Sequence, residues 1–309
     1  MELRHLRSFV VLSEELHFGR AATRIPLAQP ALSHQIKQLE RELGARLFDR
    51  GPGGVRLTHA GETFLVHART TLAHAARALR AVREQADGVE GTLTVGVFAH
   101  GAAELTMPIL HAFAIARPRV QLRVRELNFL QQTCELVEGR VDVALLRPPL
   151  ADDRVSLAVL ATEPRVAVVP ADSPLADADV LKVGDLLDEP VLAAHAAEPR
   201  AWTDFWRLTP YRGGMAPREV GPDDVTTVNE LLTALALRDC VTTTAASLAR
   251  FYPSPAVRYV AVDDLDESQM ALGTRHPDDP LVAAFRAVAL RVSADLSGLL
   301  AAGGPPAPT

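Results

Sequence analysis

Cysteine is nearly absent. Cys134 and Cys240 are the only two in 309 residues, and they lie far apart. Two distant thiols make no disulfide framework and fit a reducing compartment. Aromatic residues are also scarce, at 5%, so a core must be built chiefly from Val, Leu and Ala. No stretch approaches the ~20 apolar residues that would span a bilayer. The opening "MELRHLRSFV" is charged too early for a signal peptide, so a cytoplasmic location without membrane attachment is expected. Catalytic signatures are missing too: there is no nucleophile elbow, phosphate loop, zinc spacing or dinucleotide fingerprint. The ten histidines are scattered. No catalytic residue, metal ligand or cofactor is therefore expected.

Acid is missing from one particular place. The formal net charge is −6, which spread evenly would argue against a nucleic-acid partner. Residues 1–60, however, hold nine Lys/Arg against six acids, and no acid at all occurs from Leu16 to Leu39. A basic N-terminal segment on an acidic body suggests two separate tasks.

What fills that segment is helical. Leu6, Phe9, Val10 and Ser13 make one face of a first helix, and a second begins near Phe18. Ala21 and Ala22 are small enough for a close helix crossing. "AQPALSHQIKQLE" then places Leu32, Ile36, Leu39 and Leu43 on one stripe. Pro30 suits a helix start, where its missing N–H costs nothing. The opposite face carries Gln29, Ser33, His34 and Lys37. Two short helices joined by a tight turn make a helix-turn-helix, whose second helix enters the DNA major groove. Gln29 suits an adenine edge, and Ser33 a base or phosphate. His34 and Lys37 suit guanine or phosphate, and Pro30 a thymine methyl. Arg20 adds positive charge nearby. "RGPGGVR" follows, with Arg50 and Arg56 flanking a tight turn. It reads as a β-wing astride the DNA backbone or as a plain hairpin with solvated arginines.

Residues 1–62 resemble the winged helix-turn-helix of LysR-type transcriptional regulators, without gaps. The pieces that carry the likeness are "LRHLRSFV", "HFGRAA", "QPALSHQIKQLE", "LGARLFDR" and "LTHAGE". One departure is His34, where the family commonly has Arg. The resemblance implies a DNA-binding regulator that answers to a small effector. It implies an α+β multidomain chain: a winged helix-turn-helix (1–58), a coiled-coil linker helix (59–88) and a two-lobed α/β domain (91–297), built like a periplasmic solute-binding protein. Double-stranded promoter DNA, the effector and further copies of the chain are the implied partners, with RNA polymerase a candidate.

The linker carries Leu65, Leu72, Leu79 and Ala86 at sevenfold spacing, with Ala68, Ala75 and Val82 between them. This a/d pattern suits a helix–helix seam or an amphipathic helix packed on its own chain. The resemblance implies dimerisation here and a tetramer through the C-terminal domains. Asp87-Gly88 is expected to open a hinge.

From Gly91 the period changes. "GTLTVGVF", "VQLRVREL" and "VDVALLR" read as strands, separated by the helical "AAELTMPILHAFAIARP" and "FLQQTCELVEG". Alternating strands and helices imply parallel sheets covered on both faces. The chain is expected to cross between lobes near 162 and 266. That gives lobe I as 91–162 with 266–297, lobe II as 163–265, a last helix from Pro280 to about Ala294, and a disordered tail at 298–309. The Gly-rich turn that the family has before the strand at Cys240 is missing.

Ligands of open α/β sheets bind beyond the strands' carboxyl ends. That rule nominates Ala99, His100, Gly101 and Ala102, whose amides at a helix start suit an anion. It also nominates Asn128, Phe129 and Arg147, whose guanidinium suits a carboxylate. In lobe II it nominates His195, Trp202, Thr226, Thr227 and Thr243. The resemblance places such positions in an inter-lobe effector cleft. The arginine, the histidine and the helix start suggest a small organic anion, and "LLRPP" resembles the branch that senses aromatic-degradation intermediates, so an aromatic-pathway effector is one expectation. Each residue has a plainer role open to it. Arg147 could pair with an acid, His100 or the threonines could cap helices, and Trp202 could be core. The cysteines lack the close pairing of the peroxide-sensing branch.

Overall fold

The computed structural model describes residues 1–51, 54–86, 91–150, 152–221 and 224–301. The tip of the turn at 52–53, the expected hinge at Asp87-Gly88 and the expected tail from 302 onward lie outside the described residues, whereas 298–301 of that tail are helical, the last helix running to Ala301 rather than to about Ala294. So do some side chains within elements, Arg50 among them. The chain divides into two compact units, one built on the N-terminal residues through the linker helix and the other on most of the remainder.

The first unit runs α1 (Leu3–Glu15), α2 (Phe18–Arg24), α3 (Gln29–Leu43), β1 (Phe48–Gly51), β2 (Gly54–Leu57) and α4 (His59–Ala86). Pro30 occupies the first turn of α3 and Gly44 ends it at φ 68°, a left-handed cap that glycine adopts without a Cβ clash. On α1 the buried stripe is Leu6, Phe9 and Leu12. The expected Ser13 instead turns its hydroxyl to the Val10 carbonyl, at 2.6 Å. Ala21 and Ala22 let α2 approach closely, and Leu32, Ile36 and Leu39 of α3 complete the core. β1 and β2 pair antiparallel from Phe48 opposite Leu57 to Gly51 opposite Gly54. On α4, Ala68 is buried in this core and Leu65 and Leu72 pack against it, whereas Leu79 is exposed. The heptad stripe thus divides: its first half packs on its own chain.

The second unit continues with β3 (Thr92–Phe98), α5 (Thr106–Ala116), β4 (Gln121–Leu127), α6 (Cys134–Val137), β5 (Val143–Leu146), β6 (Ser156–Glu163), β7 (Arg165–Pro170) and β8 (Val180–Leu181). It goes on through α7 (Gly184–Leu187), β9 (Val191–Leu192), α8 (Arg200–Trp206), β10 (Glu219–Val220), α9 (Val228–Leu237), β11 (Thr242–Ala245), α10 (Leu248–Phe251), β12 (Val257–Val262), β13 (Ser268–Thr274) and α11 (Pro280–Ala301). Two sheets define two lobes, ordered β4-β3-β5-β13-β6 and β11-β7-β12-β8.

The expected parallel pairing holds for β4-β3-β5 but not throughout. β13 runs antiparallel to β5 and β6, and β7 runs antiparallel to β11 and β12. The reason is connectivity. The chain enters lobe II on β7 and leaves it on the adjacent β12, so those neighbours must point oppositely. The segment at 129–139 is helical only over Cys134–Val137. Asn128 Oδ1 accepts from Leu130 N at 3.1 Å, and Gln131 Oε1 accepts from Asn128 N at 3.1 Å. These local side-chain bonds hold a turn where a helix was expected. Among the described residues, no helix is long and apolar enough to cross a membrane.

Candidate functional site

The first candidate surface is the solvent face of α3. With Leu32, Ile36 and Leu39 buried, the helix leaves Gln29, Pro30, His34 and Lys37 exposed and Ser33 half-buried. Ser8 Oγ donates to Gln35 Oε1 at 2.5 Å, fixing α3 against α1. The acid that borders this face is occupied. Glu40 Oε1 accepts from the amides of Leu47, at 2.8 Å, and Phe48, at 3.2 Å, so it anchors the start of the wing. His34, Lys37, Arg41 and Arg46 rim one shallow groove. Arg41 and Arg46 were missed in the sequence, although Arg41 follows Lys37 at the helical spacing of four. Arg56 is exposed on β2. Arg20 is exposed but paired: its Nε lies 3.3 Å from Glu15 Oε2 and its Nη2 donates to the Glu15 carbonyl.

The second candidate is a cavity of about 90 Å3 where the two lobes meet. Phe98, Ala99, Phe129, Arg147, Trp202 and Thr243 line it. Most of its wall is apolar, and the rings pack on one another. Phe129 and Trp202 centroids are 5.4 Å apart, and Trp202 and Trp206 centroids 6.0 Å apart. Trp202 Nε1 donates to the Arg147 carbonyl at 3.1 Å. A neighbouring cavity of about 250 Å3 shares Phe98, Ala99, Phe129 and Val228, and adds Asn128 and Thr227.

The expected anion grips are engaged. Both Arg147 and Glu163 are buried and form an ion pair. The second Arg147 nitrogen donates to Ser247 Oγ at 3.0 Å. Glu163 further accepts from Ser247 N at 2.6 Å. In the turn after β3, Gly101 N donates to the Phe98 carbonyl, Ala103 N to His100 O, and Ala102 N to Thr106 Oγ1. His100, Gly101 and Ala102 do not line either cavity among the described residues. The His100 ring stacks on Phe251 at 3.6 Å between centroids, and burial lowers its pKa against the opposing pull of Glu104.

In lobe II, His195 Nδ1 accepts from Ala197 N at 3.0 Å. Thr226 and Thr227 work at the start of α9. Thr227 Oγ1 accepts from Glu230 N, and Glu230 returns to the Thr227 amide, which is a capping box. Thr226 Oγ1 donates to the same Glu230 carboxylate at 3.1 Å. Thr243 Oγ1 donates to Trp206 O at 2.6 Å and accepts from Arg165 Nη2 at 2.7 Å. Cys240 is buried, and burial pushes its thiol up to about 11, which disfavours the reactive thiolate.

Three polar residues escaped sequence reasoning. Arg165 is fully buried and donates to Phe205 O at 2.6 Å, with its guanidinium carbon 3.9 Å above the Phe205 ring. It therefore fastens the carboxyl end of α8, where a cation is favoured. Glu198 and Arg207 both line the cavity. Burial pushes the Glu198 carboxyl up to about 7, against the opposing pull of the Arg207 charge and the His195 backbone. A Glu flanked by Ala and Pro in "HAAEPR" gives no sequence cue to its burial.

Comparison with known proteins agrees with this architecture. Residues 3–62 match the model of the bacterial regulatory helix-turn-helix protein, lysR family, and residues 86–294 match that of the LysR substrate binding domain. The HTH-type transcriptional regulator AlsR of Bacillus subtilis is 37% identical over 206 residues, 66% of this chain and 68% of AlsR. The uncharacterized regulator YnfL of Escherichia coli is 40% identical over 192 residues, 62% of this chain and 64% of YnfL. Among solved structures, CbnR, a LysR family transcriptional regulator, shares the fold at TM-score 0.68 and 23% identity, over 95% of this chain and 99% of CbnR. Full-length BenM aligns at TM-score 0.53 and 25% identity, over 99% of this chain and 100% of BenM. The chain belongs to the LysR family: it is a DNA-binding transcriptional regulator with a substrate-binding domain, and not an enzyme.

Proposed function

We propose that α3 reads operator DNA through Gln29, Pro30, Ser33, His34 and Lys37, while Arg56 and Arg50 of the wing follow the phosphate backbone. Arg20 contributes from the end of its ion pair with Glu15. The observation that carries this reading is the division of α3: an apolar back buried in the head, and a donor-bearing front in solvent whose neighbouring acid, Glu40, is turned to the Leu47 and Phe48 amides. Such a face meets base edges in the major groove, where a good bidentate contact contributes ~1–3 kcal/mol of discrimination. A second copy joined along α4, covering the exposed Leu79, would pair two heads on half-sites about one helical turn apart. Regulatory domains pairing in turn would give a tetramer.

Promoter binding is modulated by a small organic effector held between the lobes. The apolar, ring-lined cavity of Phe98, Phe129 and Trp202 supports this and suits an aromatic body. An anionic effector could reach Arg147 only by displacing Glu163. The effector acts by binding one lobe arrangement better than the other.

The test starts from duplexes enriched out of random DNA by the full chain. Ser33→Ala and Lys37→Ala should each weaken binding to the enriched duplex several-fold. Unchanged affinity in both would remove α3 from the interface.

A further inference from the structure

Charge is already matched around most of the cavity. Arg147 is paired with Glu163. Arg207 is paired with Glu219 at 2.5 Å, and its other nitrogen donates to the Leu192 carbonyl. The remaining ionisable group on the wall is Glu198, and no salt bridge to it occurs among the described residues. Trp206 also lines the cavity, and its buried Nε1–H has no partner among the described residues. The wall thus carries a carboxyl with no ion-pair partner among the described residues, hydrogen-bonded by the His195 backbone and set beside Phe98, Phe129 and Trp202.

We infer that the cavity takes an uncharged, hydroxyl-bearing organic molecule, with Glu198 as the residue that selects it over a carboxylate. This rests on the reading of the cavity as the effector site. A carboxylate ligand would set a second acidic group beside Glu198, with no unpaired cation on the cavity wall among the described residues. An ammonium ligand would face two arginines, Arg147 and Arg207. A hydroxyl can donate to a carboxyl oxygen without bringing a charge into the cavity. Donation to the ionised form is the stronger bond. The apolar remainder of the ligand lies against the rings.

The fluorescence of the full chain tests this directly, because Trp202 and Trp206 are its only tryptophans and both line the cavity. The probes are two matched sets: benzyl alcohol, benzoate and benzylamine, and the smaller 1-butanol, butyrate and 1-butylamine. The expected result is a saturable emission change with at least one alcohol, at lower concentration than with its acid or amine. Glu198→Leu should weaken that binding about tenfold, the size of one lost hydrogen bond near 1.4 kcal/mol. Glu198→Gln, which keeps an accepting oxygen, should weaken it less. Preference for an acid or an amine overturns the inference while leaving the cavity as a binding site. So does an alcohol response that Glu198→Leu leaves intact. A flat response to all six probes overturns both the inference and the effector reading. A single cooperative denaturant-unfolding transition for Glu198→Leu, followed by its tryptophan emission, establishes that the unit holding the cavity is folded.

Discussion

Arg147 and Glu163 form an ion pair from which water is excluded on both sides, each side chain being 4% exposed. Glu163 ends β6, the last strand before the chain crosses to lobe II, and Arg147 follows β5. Ser247, just before α10, closes the group by hydrogen-bonding both partners.

Removing one partner strands the other. Arg147→Ala should destabilise the chain by about 3–5 kcal/mol, because a buried carboxylate is left without its cation. Replacing both, as Arg147→Met with Glu163→Leu, should recover most of that loss. Denaturant unfolding of the single and double variants measures it. If the single variant is as stable as the wild type, the pair is not a buried structural element.

The Glu198 carboxyl gives stability a pH dependence of known sign. Its folded pKa, about 7, lies above the ordinary 4.5. Its contribution is therefore full below the lower value and fades as pH rises through the upper one. The wild type should lose more stability between pH 5 and 8 than Glu198→Gln does. Parallel melting-temperature curves for the two proteins would contradict this.

The capping box of α9 predicts a modest and local effect. Thr227→Ala should cost about 1 kcal/mol and leave duplex affinity unchanged, since the residue lies in the second unit. Urea unfolding and a duplex titration together check both halves.

The two faces of α3 should separate cleanly. Ile36→Ala removes a fully buried side chain and should cost about 2–5 kcal/mol, with DNA binding lost alongside folding. Lys37→Ala, on the exposed face, should change stability by less than about 0.5 kcal/mol yet weaken DNA binding. Circular dichroism melts set beside duplex titrations distinguish the two outcomes.

The head was legible because its information is local. A 3.6-residue stripe, a proline at a helix start and an absence of acid each act within a few residues. The long helices α5 and α11 of the second unit were legible for the same reason, whereas the helix expected at 129–139 is formed only over Cys134–Val137. The antiparallel centre of lobe II was not, since it follows from where the chain re-enters lobe I, some hundred positions later in the sequence. The cavity shows the same limit more sharply. Arg147 was visible as a cation after a strand, but its partner Glu163 comes from another strand and Ser247 from a third element. Asn128 looked like a ligand contact and also bonds the Leu130 amide, which shortens α6. Glu198 and Trp206 carried no signal, because burial is a property of the packed lobes rather than of the residues beside them.

The most direct test of the central claim is the salt dependence of duplex binding by the full chain and by Lys37→Ala. Each phosphate contact contributes a slope of about −0.9 in log affinity against log salt. The wild type should therefore lose affinity steeply as salt rises, and Lys37→Ala should bind more weakly, with a slope shallower by about one if Lys37 meets a phosphate. A flat wild-type profile, or a variant that overlays it in both affinity and slope, would contradict the reading of α3 as the DNA-contacting helix.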